Sequence, residues 1–309
     1  MAAKAIFITG ATGKQGGSVV NALLKSKAPF EILALTRNAQ SSSAQSLAKK
    51  SSNIKIITGN LDSIDEAFKK AKEATKLPIW GVFSVQLPMG GGQNAESEER
   101  QGKALIDVSL ANGVKHFVYS SVDRGGEAKS DIDSTNIPHF ISKHNIEQYL
   151  FASTKGKDMT WTVLRTVAFF ENLVPGFFGK VFTTSWKMTL KPQQKLQLIA
   201  TSDIGFFAAE AFSNNISAKF KNKCFSIAGD EMTFDEFKGT FEQTTGQKLP
   251  MTYTVIAAPI NWMVKELGYM FKWFRNVGFG VDIEECRRLN PELKDFKTWL
   301  EVESVWKKG

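Results

Sequence analysis

Cysteine is scarce in this chain. Cys224 and Cys286 are the only two, and neither stands in a C-x-x-C pair. A disulfide framework is therefore excluded, and two reduced thiols in a cytosolic or nuclear protein are expected. Long apolar runs are missing as well. No stretch approaches the roughly 18 uninterrupted apolar residues of a spanning helix. The closest, "PINWMVKELGYMFKWFRNVGFG" (259–280), is interrupted by Lys265, Glu266, Lys272 and Arg275. Its apolar residues fit one helical face, so packing is expected rather than membrane contact, with an interfacial helix as the alternative. The opening "MAAKAIFITG" lacks an apolar leader core and runs straight into a strand-like pattern, so no secretory segment is expected. Internal repeats are absent, and "NAQSSSAQS" (38–46) is a polar loop too short for a disordered linker. Together these absences predict a cytoplasmic protein, with the nucleus as a second location.

Basic residues outnumber acidic ones by 39 to 31, a formal charge of +8. Such a balance suits an anionic ligand. The lysines are scattered, and no zinc-finger or basic-zipper signature accompanies them, so direct nucleic-acid binding is not expected. With 309 residues, 42% of them apolar, the chain has material for one large α/β domain and an appended lobe.

Strand-like runs alternate with helical ones from the start. The strands expected are 4–9, 31–36, 54–58, 79–85, 115–121 and 161–165. Between them, helices are expected over 16–26, 62–74 and 95–112, with Asp62 or Ser63 capping the second. Strand, helix, strand in repetition requires crossover connections, hence a mostly parallel sheet covered on both faces. After about residue 165 the spacing loosens. A smaller lobe on the carboxyl side of the sheet is expected there, with "FSIAGDEMTFDEFKGTFEQTTG" as strand, turn and capped helix ended by Gly246.

The most informative segment is "IFITGATGKQGGSVVNALL" (6–24). A buried strand runs into G-x-x-G-x-x-G, and a helix opens near Gly16. Gly10 permits the tight turn, Gly13 lets backbone approach a phosphate, and Gly16 allows close helix–strand packing. Free N–H groups at the helix start then face a pyrophosphate. The second strand ends in "LTRN". An NAD-selective site would place an acid there to accept from the ribose 2′-hydroxyl; Arg37 instead suits a 2′-phosphate, so NADP(H) is expected. Asn60, Leu61 and Asp62 follow strand three, at the adenine edge. Ser84, Val85 and Gln86 follow strand four, near the nicotinamide-side ribose.

With those residues in view, the chain resembles the NmrA-like family, an atypical branch of the short-chain dehydrogenase/reductase superfamily. "TGATGKQGG", "LTRN", "HFVYSS", "HFISKHNIEQYL", "FFENL" and "DIEECRRLNPELKDFKTWLE" carry the likeness over most of the length. It implies an α/β fold: a Rossmann-type doubly wound parallel sheet over residues 1–165, with a smaller α+β C-terminal lobe over 166–309, some of whose segments return to the sheet. It implies that Gly10, Ala11, Thr12, Gly13, Lys14 and Gln15 wrap the pyrophosphate, and that Arg37 holds the 2′-phosphate. Lys143 would reach the nicotinamide ribose, while "VAFFEN" (167–172), with Phe169, Phe170 and Asn172, would line the nicotinamide side. Two departures stand out. The family often has aspartate where this chain has Asn60, and "PMGGGQN" (88–94) replaces larger side chains with glycines, as in a loop that moves until ligand binds.

The superfamily's proton-donating tyrosine lies four residues before its lysine. Here that place holds His139, four before Lys143. Imidazole exchanges protons near neutral pH; a histidine packed at a helix start after Pro138 is the plainer reading. Ser120 and Ser121 stand where a catalytic serine often lies, or simply close a strand. Tyr119 should point away from Ser120. Three readings stay open. One is a sensor of the NADPH/NADP⁺ ratio that changes shape and partner, a transcription factor or an enzyme. The second is an NADPH-dependent reductase in which Lys143 relays the proton and Phe169, Phe170, Phe177, Phe178, Trp262, Phe271 and Trp273 form a pocket for a flat apolar carbonyl, enone or quinone. The third is an interaction module with a structural cofactor. The position of Arg37 makes the first prediction: titration with both coenzymes should favour NADP(H), and a preference for NAD(H) beyond about tenfold would contradict it.

Overall fold

The computed structural model describes residues 4–26, 30–88, 90–213, 219–252 and 265–307. Two compact units divide the chain: 1–121, 141–165 and 204–225 form the first, and 122–140, 166–203 and 226–309 the second.

The first unit is built on β1 (Lys4–Ile8), β2 (Phe30–Thr36), β3 (Ile54–Thr58), β4 (Ile79–Ser84), β5 (His116–Val122) and β6 (Thr160–Thr166). With β9 (Lys223–Ile227), which lies across the division, they make a seven-stranded sheet in the order β3-β2-β1-β4-β5-β6-β9. The pairs β3–β2, β2–β1, β1–β4 and β4–β5 are parallel. Every expected strand is present within two residues of its anticipated ends. Strand order reverses between β1 and β4, so the crevice beyond their carboxyl ends is the place where such sheets receive ligands.

Helices α1 (Lys14–Lys25), α2 (Ser42–Ala48), α3 (Ile64–Ala74), α4 (Ala95–Ala111), α6 (Pro138–Thr154) and α8 (Thr201–Ala211) supply the crossovers and cover. Phe68 of α3, Leu105 and Ile106 of α4, and Ile146 and Leu150 of α6 bury against Phe7, Val82, Phe117 and Tyr119 of the sheet. Near-continuous apolar strands are thereby explained. On α8, Gly205 lets the helix approach α1 so closely that a Cβ there would stand 2.5 Å from the Ser18 carbonyl oxygen. Two boundaries differ from expectation. Helix α1 opens at Lys14 rather than near Gly16, because Gly13 in extended conformation already serves as its N-cap. Ser63 holds the N-cap position of α3 but makes no side-chain cap bond; Asn60 caps the short 3₁₀ turn (Leu61–Ser63) before it, accepting from the Ser63 amide at 2.9 Å.

The second unit holds a three-stranded sheet in the order β10-β8-β7, from β7 (Ala168–Phe169), β8 (Leu196–Ile199) and β10 (Asp230–Met232). Around it lie α5 (Glu127–Ile132), α7 (Phe177–Thr189), α9 (Phe234–Thr245), α10 (Lys265–Asn276), α11 (Ile283–Leu289) and α12 (Phe296–Val302). Helix α9 has the anticipated ends: Thr233 and Glu236 form a reciprocal capping box, and Gly246 closes it in left-handed conformation. The unit's core is aromatic, with Trp186 against Phe237 at 4.8 Å and Phe237 stacked on Phe296 at 4.1 Å. Phe271 and Trp273 of the 259–280 segment are buried in it, as packing predicts; residues 259–264, with Trp262, lie outside the described residues. Among the described residues no helix is long and apolar enough to cross a membrane. Buried Cys286 has its thiol pushed up to about 11 by burial, which keeps it protonated.

His116 is fully buried on β5 between Thr160 and Thr162, 2.8 and 3.2 Å from its two ring nitrogens. The Thr160 and Thr162 hydroxyls in turn donate to the Lys115 and Phe220 carbonyls. Burial, followed by the nearby Lys221 charge, drives the imidazole pKa down to about 3. The unfolded chain takes up this proton as pH falls through about 6.5, and the native chain does not until about 3. The stability this group contributes is complete above pH 6.5 and is lost through that window. Urea unfolding at pH 7.5 and 5.0 should therefore show a stability loss in the wild type that His116→Gln reduces by about one proton's slope.

Candidate functional site

The site begins where β1 ends. Thr9 is fully buried and laces β1 to β4: its hydroxyl donates to Val85 O at 2.9 Å and accepts from Val85 N at 2.8 Å. Its amide donates to Phe83 O at 3.0 Å. The chain then turns through Gly10 at φ +59°, where a Cβ would meet a Val85 methyl at 2.8 Å. Gly13 N donates to Gly10 O at 2.8 Å, closing the turn. Any Cβ on Gly16 would be forced into the Gly10 carbonyl and within 2.6 Å of Thr9 O. Gly10 and Gly16 thus each have a steric reason, and that of Gly16 is the stricter.

Helix α1 starts on this turn with no side-chain cap and no acid in its first turn. Its leading N–H groups and the positive end of its dipole are left for an anion. Gly10, Thr12, Gly13 and Lys14 are exposed, Gln15 is half-buried, and Ala11 is buried beneath them. Gln15 does more than wrap the turn, since its Oε1 accepts from the Ser120 hydroxyl at 2.5 Å. At the end of β4, Ser84 and Gln86 are buried and Val85 half-buried. Gln86 donates to Ser84 Oγ at 2.9 Å, while its own Oε1 is buried without a hydrogen-bond partner among the described residues. A buried acceptor left open beside the turn is an invitation to a ligand donor.

Arg37 is exposed just past β2, with no ion pair among the described residues. Asn60, expected at the adenine edge, is exposed but has its Oδ1 committed to the cap; Leu61 beside it is half-buried. Asp62 is engaged elsewhere. Hydrogen bonds from Gln101 and then Arg100 hold its carboxyl below the usual range. The distances are 2.9 Å and 2.6 Å.

Lys143 is nine-tenths buried, and its ammonium is paired with Glu98 at 2.8 Å. Glu98, fully buried at the start of α4, also accepts from the Ser142 hydroxyl. Lys143 Nζ stands 5.9 Å from the Tyr119 ring centroid, while the next residue, Ser120, bonds to Gln15. Ser121 donates to Glu147, which is paired with Arg165 at 2.7 Å, both fully buried. The two serines lie inside β5 rather than closing it. Sequence reasoning missed Glu98, because "ESEER" looks like a solvated helix start.

The remaining residues singled out from the sequence belong to the second unit. His139 is buried, its ring edge-on to Phe140 at 4.8 Å, and Phe140 in turn meets Trp273 at 5.2 Å. Phe170 is fully buried against Phe296 and Trp299, so its ring is core. Phe169 and Asn172 are half-buried. Glu171 between them takes the Thr201 amide and hydroxyl at 2.9 and 2.7 Å. The aromatics do not form one group: Phe170, Phe271 and Trp273 are core, whereas Phe177 and Phe178 are exposed.

The NmrA-like family model matches residues 2–302. The chain belongs to the NmrA-like family. An NmrA-like family domain-containing protein of Dictyostelium discoideum is 27% identical over 252 residues, 80% of this chain and 79% of that protein. The oxidoreductase ptmS of Penicillium ochrochloron, also NmrA-like, is 31% identical over 188 residues; the match takes in 58% of this chain and about half, 48%, of that protein. Among solved structures, triphenylmethane reductase of Citrobacter sp. with NADP(H) superposes at a TM-score of 0.70 and 18% identity, covering 95% of this chain and 98% of that one. The negative transcriptional regulator NmrA with NADP gives 0.69 at 14% identity, covering 99% of each chain. One fold therefore serves a reductase and a regulator.

The buried pair of Lys143 and Glu98 makes a testable demand. Removing one partner leaves an uncompensated buried charge, at a cost of about 3–5 kcal/mol. Thermal or urea unfolding should show Glu98→Ala strongly destabilised and the double variant Glu98→Ala/Lys143→Ala less so; a double variant at least as unstable would contradict the pairing.

Proposed function

We propose that this protein binds NADP(H) and reports the NADPH/NADP⁺ ratio to a protein partner, a transcription factor or an enzyme. The observation that carries the reading is the anionic-ligand cradle of the first unit. An uncapped α1 N-terminus on a glycine-bearing turn lies around the carboxyl ends of β1, β2 and β4, with Gln86 Oε1 and Arg37 lacking a hydrogen-bond partner and an ion pair, respectively, among the described residues. Backbone N–H groups of Lys14 and Gln15, at the helix start, would hold the pyrophosphate, and Arg37 the 2′-phosphate. Lys143 would donate to the nicotinamide ribose with the hydrogens Glu98 does not take. When bound, the nicotinamide supplies hydride chemistry; the residues of this chain hold, orient and desolvate it.

Sensing is favoured over turnover by the fate of the two residues that would move a proton. His139 replaces the acid and is packed on Phe140, and the Lys143 ammonium is committed to a buried carboxylate. A sensor must bind the two redox forms unequally, since equal affinity shifts no equilibrium. The second reading, an NADPH-dependent reductase using Lys143, rests on relatives that carry the name oxidoreductase. Cytoplasm and nucleus both suit a sensor of this kind.

Calorimetry with NADPH and NADP⁺, run beside an absorbance assay on quinones, enones and aldehydes, separates the two. The expected result is affinity differing between forms by at least about fivefold, with no substrate-dependent oxidation of NADPH. Turnover abolished by Lys143→Ala would establish the reductase instead, and absence of binding by either form would end both readings.

A further inference from the structure

The glycine-rich turn after β4 has no role in the preceding reading. Gly90, Gly91 and Gly92 have φ of +86°, +60° and +81°, and all three are exposed. Gln93 N donates to Gly90 O at 3.1 Å, so Gly91 and Gly92 are the two central residues of a closed turn. Left-handed backbone at both central places is the type I′ pattern, which side-chain-bearing residues other than Asn and Asp seldom adopt.

The tip of this turn faces a charge. A Cβ built on Gly91 would lie 3.9 Å from Arg37 Nη1, whereas on Gly90 or Gly92 it would meet nothing within 4 Å. The turn is also anchored. Gln93 Oε1 accepts from Gln101 Nε2 at 2.8 Å, and the same Gln101 amide donates to Asp62 at 2.9 Å. Asn94, next in sequence, caps α4 in a reciprocal box with Ser97. Asp62 belongs to the 3₁₀ turn after β3, directly following Asn60 and Leu61. Gln101 thus ties the loops after β3 and β4 together, and Arg37, from the loop after β2, approaches the Gly91 tip.

We propose that the Gly90–Gln93 turn is the second jaw of a clamp on the adenosine 2′-phosphate, with Arg37 as the first, and that Gly91 is a specificity-determining residue. The inference rests on the NADP(H) reading and deepens it. A bare tip leaves space for a phosphate against the guanidinium, and main-chain amides of consecutive left-handed residues are ready anion donors. Asp62, at the other end of the Gln101 anchor, has its carboxylate taken by Arg100 and Gln101. Selectivity for the phosphorylated coenzyme then comes from two loops rather than one residue.

Two variants isolate the charge. Asn-Gly and Asp-Gly both suit the type I′ turn, so Gly91→Asn and Gly91→Asp should keep its shape and differ by one negative charge beside Arg37. Dissociation constants for NADPH and NADH are measured on the full-length chain at one fixed ionic strength. The NADPH-over-NADH affinity ratio of Gly91→Asp should fall at least about tenfold below that of Gly91→Asn, with NADH affinities of the two within about twofold. Equal ratios in the two variants, in a wild-type protein that prefers NADPH, overturn the clamp and leave the cofactor reading intact. A wild-type protein that binds neither coenzyme overturns both.

Discussion

Everything at the head of the first unit depends on how closely α1 comes to the end of β1. The Gly10 carbonyl occupies the space where a side chain at position 16 would begin, and Thr9 ties the same point to β4. Because the approach is backbone to backbone, it tolerates no gradual adjustment: a methyl group at Gly16 would have to lift the helix or open the turn. The uncapped start of the helix, directly on the Gly10–Gly13 turn, goes with that close contact. A helix beginning farther away would have room for a serine or aspartate cap, and with it would lose its appetite for an anion.

A second theme is charge placed under cover. Glu98 with Lys143, and Glu147 with Arg165, are ion pairs shut away from water near the strand ends of the first unit. Pairs of this kind contribute little net stability against apolar replacements, and their geometric specificity is the better reason to keep them. Lys143 illustrates the point. Its ammonium is fixed from one side by a carboxylate that Ser142 also holds, so it presents its remaining hydrogens in a set direction. That would suit the ribose contact proposed for it.

Much of this was legible in the sequence, for identifiable reasons. The strands were readable because both faces of the sheet are covered, which makes them continuous apolar runs. The turn from Gly10 to Gly16 was readable because close backbone contact admits one residue type. The NmrA-like motifs carried the family. What escaped detection shares a different property: it depends on partners far apart in the chain. Glu98 looked like part of a charged helix start, yet it is fully buried by its pairing with a lysine 45 residues away. Asp62 does not serve as a cap, because Arg100 and Gln101, from α4, claim it, and Asn60 instead caps the 3₁₀ turn that leads into α3. Phe170 read as a ligand-facing aromatic, and only Phe296 and Trp299, more than a hundred residues on, make it core.

The late arrival of α8 has a consequence for how the chain comes into being. Gly205 seats this helix on α1, and Phe212, just past its end, fills the space over Gly81 in the centre of the sheet. Residues 204–225 therefore complete a body begun at the amino terminus. During synthesis the nascent first unit must wait, one flank bare, until residues 204–225 have left the ribosome. A fragment cut after β6 would expose that apolar flank permanently, and would be a client for chaperones rather than an autonomous nucleotide-binding module.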